Sequence, residues 1–168
     1  VTDNSASQVL ENIELAKMAG ADIAVIAPPF FLMHATPDVL LKLYRTVIRN
    51  SPLPIGVYDR GTFGAVFVPD KVMAQIYAEP RVVIVKDSSA NPARCAIALA
   101  AKRRRPHLCL MNGNEFDCVS YLEAGYDGLL LGGGVFNGHI AGQIVAAVRA
   151  HDHELALRLQ QRMNRMMW

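Results

Sequence analysis

Five short apolar runs punctuate the chain: Ile23 to Ala27, Ile55 to Tyr58, Val82 to Lys86, Leu108 to Met111 and Gly128 to Leu131. Each is rich in Val, Ile or Leu and lacks the strict alternation of a strand with one wet face. That pattern predicts parallel strands covered on both sides. Between the runs the apolar positions recur at helical spacing. Gln8 to Met18 carries Val9, Leu10, Ile13 and Ala16 on one stripe. Pro37 to Ile48 follows, with Thr36 placed to cap it and Pro37 at its first position. Asp70 to Ala78, Pro92 to Lys102, Glu115 to Ala124, Ile140 to Ala150 and His153 to the end complete the helical series.

Strands and helices therefore alternate, which predicts an α/β architecture with a parallel sheet. AKMAGADIAVIAPP (16–29) and YLEAGYDGLLLGGG (121–134) echo one another: a helix end, Ala-Gly, an Asp, then a strand. Gly20 and Gly125 fit as helix C-caps. A doubly wound sheet and a (β/α)8 barrel both satisfy this string. No G-x-G-x-x-G follows the first strand, which argues against a dinucleotide site.

Composition narrows the class. A chain of 168 residues with 52% hydrophobic and 19% charged residues can bury a substantial core. The net charge of +2 gives no general affinity for nucleic acid. The run Lys102-Arg103-Arg104-Arg105 closes a helix, where cations complement the dipole, and has no interleaved aromatics. Three cysteines, Cys95, Cys109 and Cys118, form no C-x-x-C pair and fit a reducing, cytoplasmic setting. No apolar run reaches the ~18 residues of a membrane span. His151-Asp152-His153 lacks convergent partners, so no metal site is expected. The chain opens on VTDNSAS and closes on MNRMMW inside a helical pattern, so both ends are expected to be cut from a longer polypeptide.

In α/β folds chemistry gathers beyond the carboxyl ends of the strands. There the sequence reads Pro28-Pro29-Phe30-Phe31, Tyr58-Asp59-Arg60-Gly61-Thr62, Lys86-Asp87-Ser88-Ser89, Asn112-Gly113-Asn114-Glu115 and Gly132-Gly133-Gly134. Tyr58 and Lys86 are expected to be the last residues of neighbouring strands. A lysine ending a buried strand loses hydration, which disfavours its ammonium form. The neutral amine is the nucleophile that condenses with a ketone to give a Schiff base. A nearby phenol such as Tyr58 can move protons to and from the substrate. The bland alternative is a lysine that snorkels to solvent from the sheet rim.

The segments PIGVYDRGT and VVIVKDSSANP resemble the dihydrodipicolinate synthase / N-acetylneuraminate lyase family, where a strand-terminal Tyr precedes a strand-terminal Schiff-base Lys. AGADIAVIAPPFF, LMNGNE and EAGYDGLLLGGGVF extend the likeness in order along the chain. The resemblance implies a (β/α)8 TIM barrel of which the chain holds roughly the last five βα units. Residues 1–150 would be the barrel portion and 151–168 the start of a C-terminal helical region. It implies Lys86 as the Schiff-base residue and Tyr58 as the proton-transfer residue. Arg60, Thr62, Asn112, Asn114, Gly132 and Gly133 are the candidate substrate-binding residues. A lyase (an aldolase or dehydratase) acting on pyruvate or another 2-oxo acid is expected. No cofactor is needed, since the lysine imine itself serves as electron sink. A homotetramer or homodimer is expected, with Phe30 and Phe31 at an interface or the pocket.

The family's Gly-(T/S)-(T/S)-Gly-Glu carboxylate-binding motif has no match here, and a closed barrel takes eight strands in ~250 residues. Synthases proper carry an Arg five residues after the Tyr, where this chain has Phe63, and a Tyr-Tyr pair where it has Phe30-Phe31. A phenyl ring cannot relay a proton. A substrate derived from a sugar or an aromatic compound is therefore expected in place of the synthase reaction. Two alternatives stay open: a phosphate-binding barrel enzyme using Gly132 to Gly134, and a catalytically silent or regulatory relative.

Overall fold

The computed structural model describes residues 1–167. Trp168, the end of the last predicted helix, lies outside them. The strands are β1 (Ala24–Ile26), β2 (Ile55–Asp59), β3 (Val82–Asp87), β4 (Cys109–Asn112) and β5 (Gly128–Leu129). The helices are α1 (Ala6–Met18), α2 (Pro37–Asn50), α3 (Asp70–Ala78), α4 (Pro92–Arg104), α5 (Cys118–Ala124), α6 (Gly134–Arg149) and α7 (His153–Met166). Short 3-10 turns at Gly61–Phe63 and Glu115–Asp117 enter α3's approach and α5.

The sheet is wholly parallel and its spatial order is the chain order, β1-β2-β3-β4-β5. A doubly wound sheet reverses direction at a switch point; this one never does. One face carries Ala24, Ile26, Ile55, Val57, Val85 and Leu110, all buried with Leu40, Tyr44, Val47, Ile48, Met73 and Ile76 of the flanking helices in one core. Removing a side chain such as Leu40 or Ile48 from water contributes about 1.5–3 kcal/mol. The opposite face carries Val25, Gly56, Tyr58, Ile84, Lys86 and Met111. Gly56 is required there, because a Cβ would lie 2.7 Å from Ile84 Cγ2 and 2.8 Å from Val25 Cγ2.

Local chemistry sets the helix ends. Thr36 Oγ1 accepts from Val39 N–H with Pro37 in the first turn, and Asn91 caps α4 ahead of Pro92. Gly20 and Gly125 hold φ of +93° and +114°, closing α1 and α5 as expected. The basic run at the end of α4 splits in two. Lys102 pairs with Asp127 at 2.7 Å, and Arg105 donates to the carbonyls of Tyr77, Pro80 and Val82, while Arg103 and Arg104 remain exposed.

Several boundaries differ from expectation. β5 ends at Leu129, because only Met111 and Asn112 of β4 are there to pair with it. α6 begins at Gly134, not Ile140, so the glycine run is the entrance of a helix. The segment expected to be helical from Glu115 first makes a 3-10 turn, with Asn114 Oδ1 accepting from Phe116 N–H. Helix α7 packs on α6 through Ala156 and Met163 against Ile144 and Ala147. Gln160 reaches back to accept from Cys118 N–H at 2.6 Å and to donate to Glu115 O at 2.8 Å.

Candidate active site

Three neighbouring strands end in the same device. Asp59, Asp87 and Asn112 lie side by side in the sheet register and are 1%, 0% and 0% exposed. Each accepts, through Oδ1, the N–H two residues on: Gly61 at 2.9 Å, Ser89 at 2.9 Å and Asn114 at 2.7 Å. These are Asx turns, in which a short side chain stands in for the next backbone carbonyl. The carbonyl of each also takes an N–H from the next strand or its end: Ser88, Gly113 and Leu130 respectively. Tyr58 and Lys86 were expected to end their strands; they are penultimate, because the ladder continues through this Asx row.

The turns are pinned from the helix side. Tyr77 Oη donates to Asp59 Oδ2 at 2.7 Å, and Arg94, itself 1% exposed, lies 3.1 Å from the same oxygen. Arg94 also reaches Asp70 at 3.0 Å and donates to Val68 O at 2.8 Å. Burial pushes the Asp59 carboxyl above the ordinary range, and the Tyr77 hydroxyl, Arg94 and the Gly61 N–H pull against it. Tyr126 Oη donates to Asp87 Oδ2 at 2.8 Å, and burial with the Asp87 charge raises the Tyr126 phenol far above its usual value. Asn112 completes the row by donating to Asn114 O and Asp117 O.

With the Asx row turned toward the helices, the preceding residues point the other way. Tyr58 pairs with Lys86, and Lys86 with Met111. Lys86 Nζ lies 4.3 Å from the Tyr58 ring centroid, and the Arg60 guanidinium carbon lies 6.0 Å from the same ring. A cavity of about 580 Å³ opens here at the carboxyl edge of the sheet, with Tyr58, Lys86, Arg60, Ser88, Asn114 and Gly132 in its wall. Lys86 is half-buried in that wall, not aimed outward from the rim. Gly113 gives it room: a Cβ there would sit 2.0 Å from Ser88 Oγ and 3.0 Å from Lys86 Cε.

Not every candidate converges. Lys86, Tyr58, Arg60, Asn114 and Gly132 share the cavity. Thr62 is exposed in its 3-10 turn and outside the wall, and Asn112 is sealed with its amide spent on the turn. Gly133 is buried under Glu115, whose carboxylate accepts its N–H. That carboxylate occupies the donor a phosphate nest would use and adds a negative charge beside it. Phe30 and Phe31 are 54% and 74% exposed and stand apart from the cavity, with Phe31 N–H donating to Asn4.

Ser88, Gly113, Glu115, Phe63 and Phe116 line the cavity without having been singled out as substrate-binding residues. Period-two alternation past Lys86 marks Ser88. The others depend on loop conformations that periodicity does not encode. In the last helices, Asp152 caps α7 through Leu155 N–H and His153 faces Glu123 at 2.5 Å, so the His-Asp-His segment serves helix ends. Among the described residues no cluster has a metal-binding donor set, and no helix is long and apolar enough to cross a membrane.

Sequential parallel strands in chain order, with helices on one face, define a segment of a (β/α)8 barrel, and a lysine and a tyrosine stand together at its carboxyl edge. The model of the dihydrodipicolinate synthetase family matches residues 1–168, and the chain belongs to that family. It is 25% identical over 168 residues to a 4-hydroxy-tetrahydrodipicolinate synthase from Anaeromyxobacter sp. (strain Fw109-5), covering 98% of this chain and 56% of that protein. It superposes on a dihydrodipicolinate synthase from Bacteroides thetaiotaomicron with a TM-score of 0.84 and 25% identity, covering 99% of this chain and 55% of that one. A prophage protein of the same family from E. coli K12, in complex with pyruvate, shares the fold at a TM-score of 0.86 and 19% identity, over 98% of this chain and 56% of that one. The chain thus spans about half the length of the relatives it matches.

Proposed function

We propose that the polypeptide carrying this chain is a Schiff-base-forming lyase acting on pyruvate or another 2-oxo acid. One observation carries the reading: Lys86 Nζ lies 4.3 Å from the Tyr58 ring inside a cavity at the carboxyl edge of a parallel sheet. The Lys86 amine adds to the ketone carbon and water leaves, giving a protonated imine. The imine draws electrons from the adjacent carbon, so a bond there can be broken or made. Tyr58, beside the amine, carries protons between the substrate oxygens and solvent. Arg60 at the cavity mouth supplies a cation for the substrate carboxylate.

Phe63 and the Phe30-Phe31 pair favour an aldolase or dehydratase over the synthase reaction. The reading extends to residues 1–150 as barrel and 151–168 as the start of a helical region that braces Glu115 through Gln160. It also extends to a homotetramer or homodimer with the exposed Phe30-Phe31 loop at an interface, and to a cytoplasmic setting supported by three unpaired cysteines.

Incubation of the intact protein with pyruvate and borohydride should trap a covalent adduct on Lys86, located by peptide mass spectrometry. Absence of the adduct, or its persistence in Lys86→Ala, refutes the reading. In the silent-relative alternative, Lys86→Ala would leave ligand binding unchanged.

A further inference from the structure

Arg94 is among the largest fully buried side chains, 1% exposed in the first turn of α4. The position is unfavourable on two counts. A guanidinium leaves water only against strong compensation, and the amino end of a helix repels a cation. Its partners among the described residues all lie on one short segment. Asp59 Oδ2 is 3.1 Å away and Asp70 Oδ1 3.0 Å. Val68 O accepts its N–H at 2.8 Å, and the Phe67 ring centroid lies 5.9 Å from the guanidinium carbon. Asp59 ends β2 and Asp70 opens α3, so one cation fastens both ends of the loop between them.

Stability alone does not call for that charge. Val66 and Val68, 3% and 2% exposed, already anchor the loop in the core. A buried ion pair is often matched in stability by apolar residues of similar volume. What the charge adds is a fixed geometry. The loop's regular structure is the 3-10 turn Gly61–Phe63, and it carries Arg60 and Phe63 into the cavity wall. Arg60 is exposed, so its long side chain is placed through its backbone. That backbone is set by the Asp59 turn, which Arg94 holds, and by Arg60 O accepting from Phe63 N–H at 2.9 Å. A planar fork shared between two carboxylates and a carbonyl fixes direction as well as distance, which the point charge of a lysine does not.

We infer that Arg94 is a positioning residue for the substrate carboxylate: it clamps Asp59 and Asp70, and the clamp sets where Arg60 stands beside Tyr58 and Lys86. This rests on the imine chemistry and the carboxylate role of Arg60 proposed above. Arg94 itself never meets the substrate. Loosening the clamp weakens binding of the 2-oxo acid and leaves the amine as reactive as before. The effect follows the carboxylate, so a neutral ketone of the same size is insensitive to it.

The experiment measures borohydride trapping on the intact protein against the concentration of pyruvate, or of hydroxyacetone, in which a hydroxymethyl group replaces the carboxylate. Arg94→Lys should raise the half-saturating pyruvate concentration by about threefold to tenfold. It should leave the limiting trapping rate within about twofold and hydroxyacetone unaffected. Arg60→Ala should raise the pyruvate value at least as much, and adding Arg94→Lys to it should change little further. Asp70→Asn loosens the outer end of the clamp; it should give the same pattern in smaller measure, and it decides the matter if Arg94→Lys does not fold. An unmoved pyruvate value, equal losses with both ketones, or effects of Arg94→Lys and Arg60→Ala that simply add overturn this inference and leave the imine chemistry standing. No adduct with pyruvate in the parent protein overturns both.

Discussion

Asp59 and Asp87 occupy equivalent places but are held differently, and that asymmetry gives a quantitative prediction. Asp59 Oδ2 has two partners, the Tyr77 hydroxyl at 2.7 Å and Arg94 at 3.1 Å. Among the described residues Asp87 Oδ2 has one, the Tyr126 hydroxyl at 2.8 Å, and Asp87 is 0% exposed. Tyr77→Phe and Tyr126→Phe each delete one oxygen and leave the ring packing in place. In Tyr77→Phe the guanidinium 3.1 Å away still balances the carboxylate's charge, so the loss is that of an ordinary hydrogen bond, about 1 kcal/mol. In Tyr126→Phe a buried carboxylate oxygen is stripped of its donor, which costs about 2–3 kcal/mol. At roughly 2–4 °C per kcal/mol for a domain of this size, the second variant should melt about 2–8 °C below the first. Urea unfolding followed by circular dichroism gives the free energies, and calorimetry the melting points. Equal losses, or a larger loss in Tyr77→Phe, would refute the assignment of Tyr126 as the donor that holds the Lys86 turn.

Gly113→Ala forces a methyl to within 2.0 Å of Ser88 Oγ and 3.0 Å of Lys86 Cε; borohydride trapping should slow by at least about tenfold while the melting point falls only a few degrees. Burial alone would raise the Glu79 carboxyl, but Arg49 and Arg45 outweigh it and hold it below the ordinary value, so its stabilisation is present above that value and lost as pH falls through the folded one. Glu79→Gln should therefore lose less stability than the parent between neutral pH and about pH 3, by roughly 0.5–1 kcal/mol in acid titrations of the unfolding midpoint. Burial, with the Glu115 and Asp117 charges, pushes the Cys118 thiol up to about 12. Its thiolate fraction at pH 8.5 is then on the order of one in a few thousand. Iodoacetamide should leave it unmodified in the native protein and label it in urea, as peptide mapping would show.

The scaffold was legible wherever one short segment decides the outcome. Val82 to Val85 could only be a buried strand, Thr36-Pro37 could only open a helix, and Gly20 and Gly125 announced their helix ends. The pairing of Tyr58 with Lys86 was also within reach, since both close apolar runs. The register was not. That Asp59, Asp87 and Asn112 form one row depends on a shift between β2 and β3 at Ile55 and Gly56. Nothing local to either strand encodes that shift. Glu115 illustrates the same limit: its partners are Gly133, 18 residues on, and Gln160, 45 residues on. Asn112 looked like a substrate ligand for a sound reason, a polar residue at a strand end. Parity turned it inward, because the alternation that faces Lys86 to the cavity faces its neighbours to the helices.

The row of Asx turns separates two jobs that strand-end residues often share. Shape is governed by side chains reaching back under the helices, and reactivity by the adjacent ones reaching forward. A designer could exchange the groups at 58, 86 and 111 for others and keep the loops where they are. The same partition gives drift in sequence a route to new chemistry on an unchanged frame.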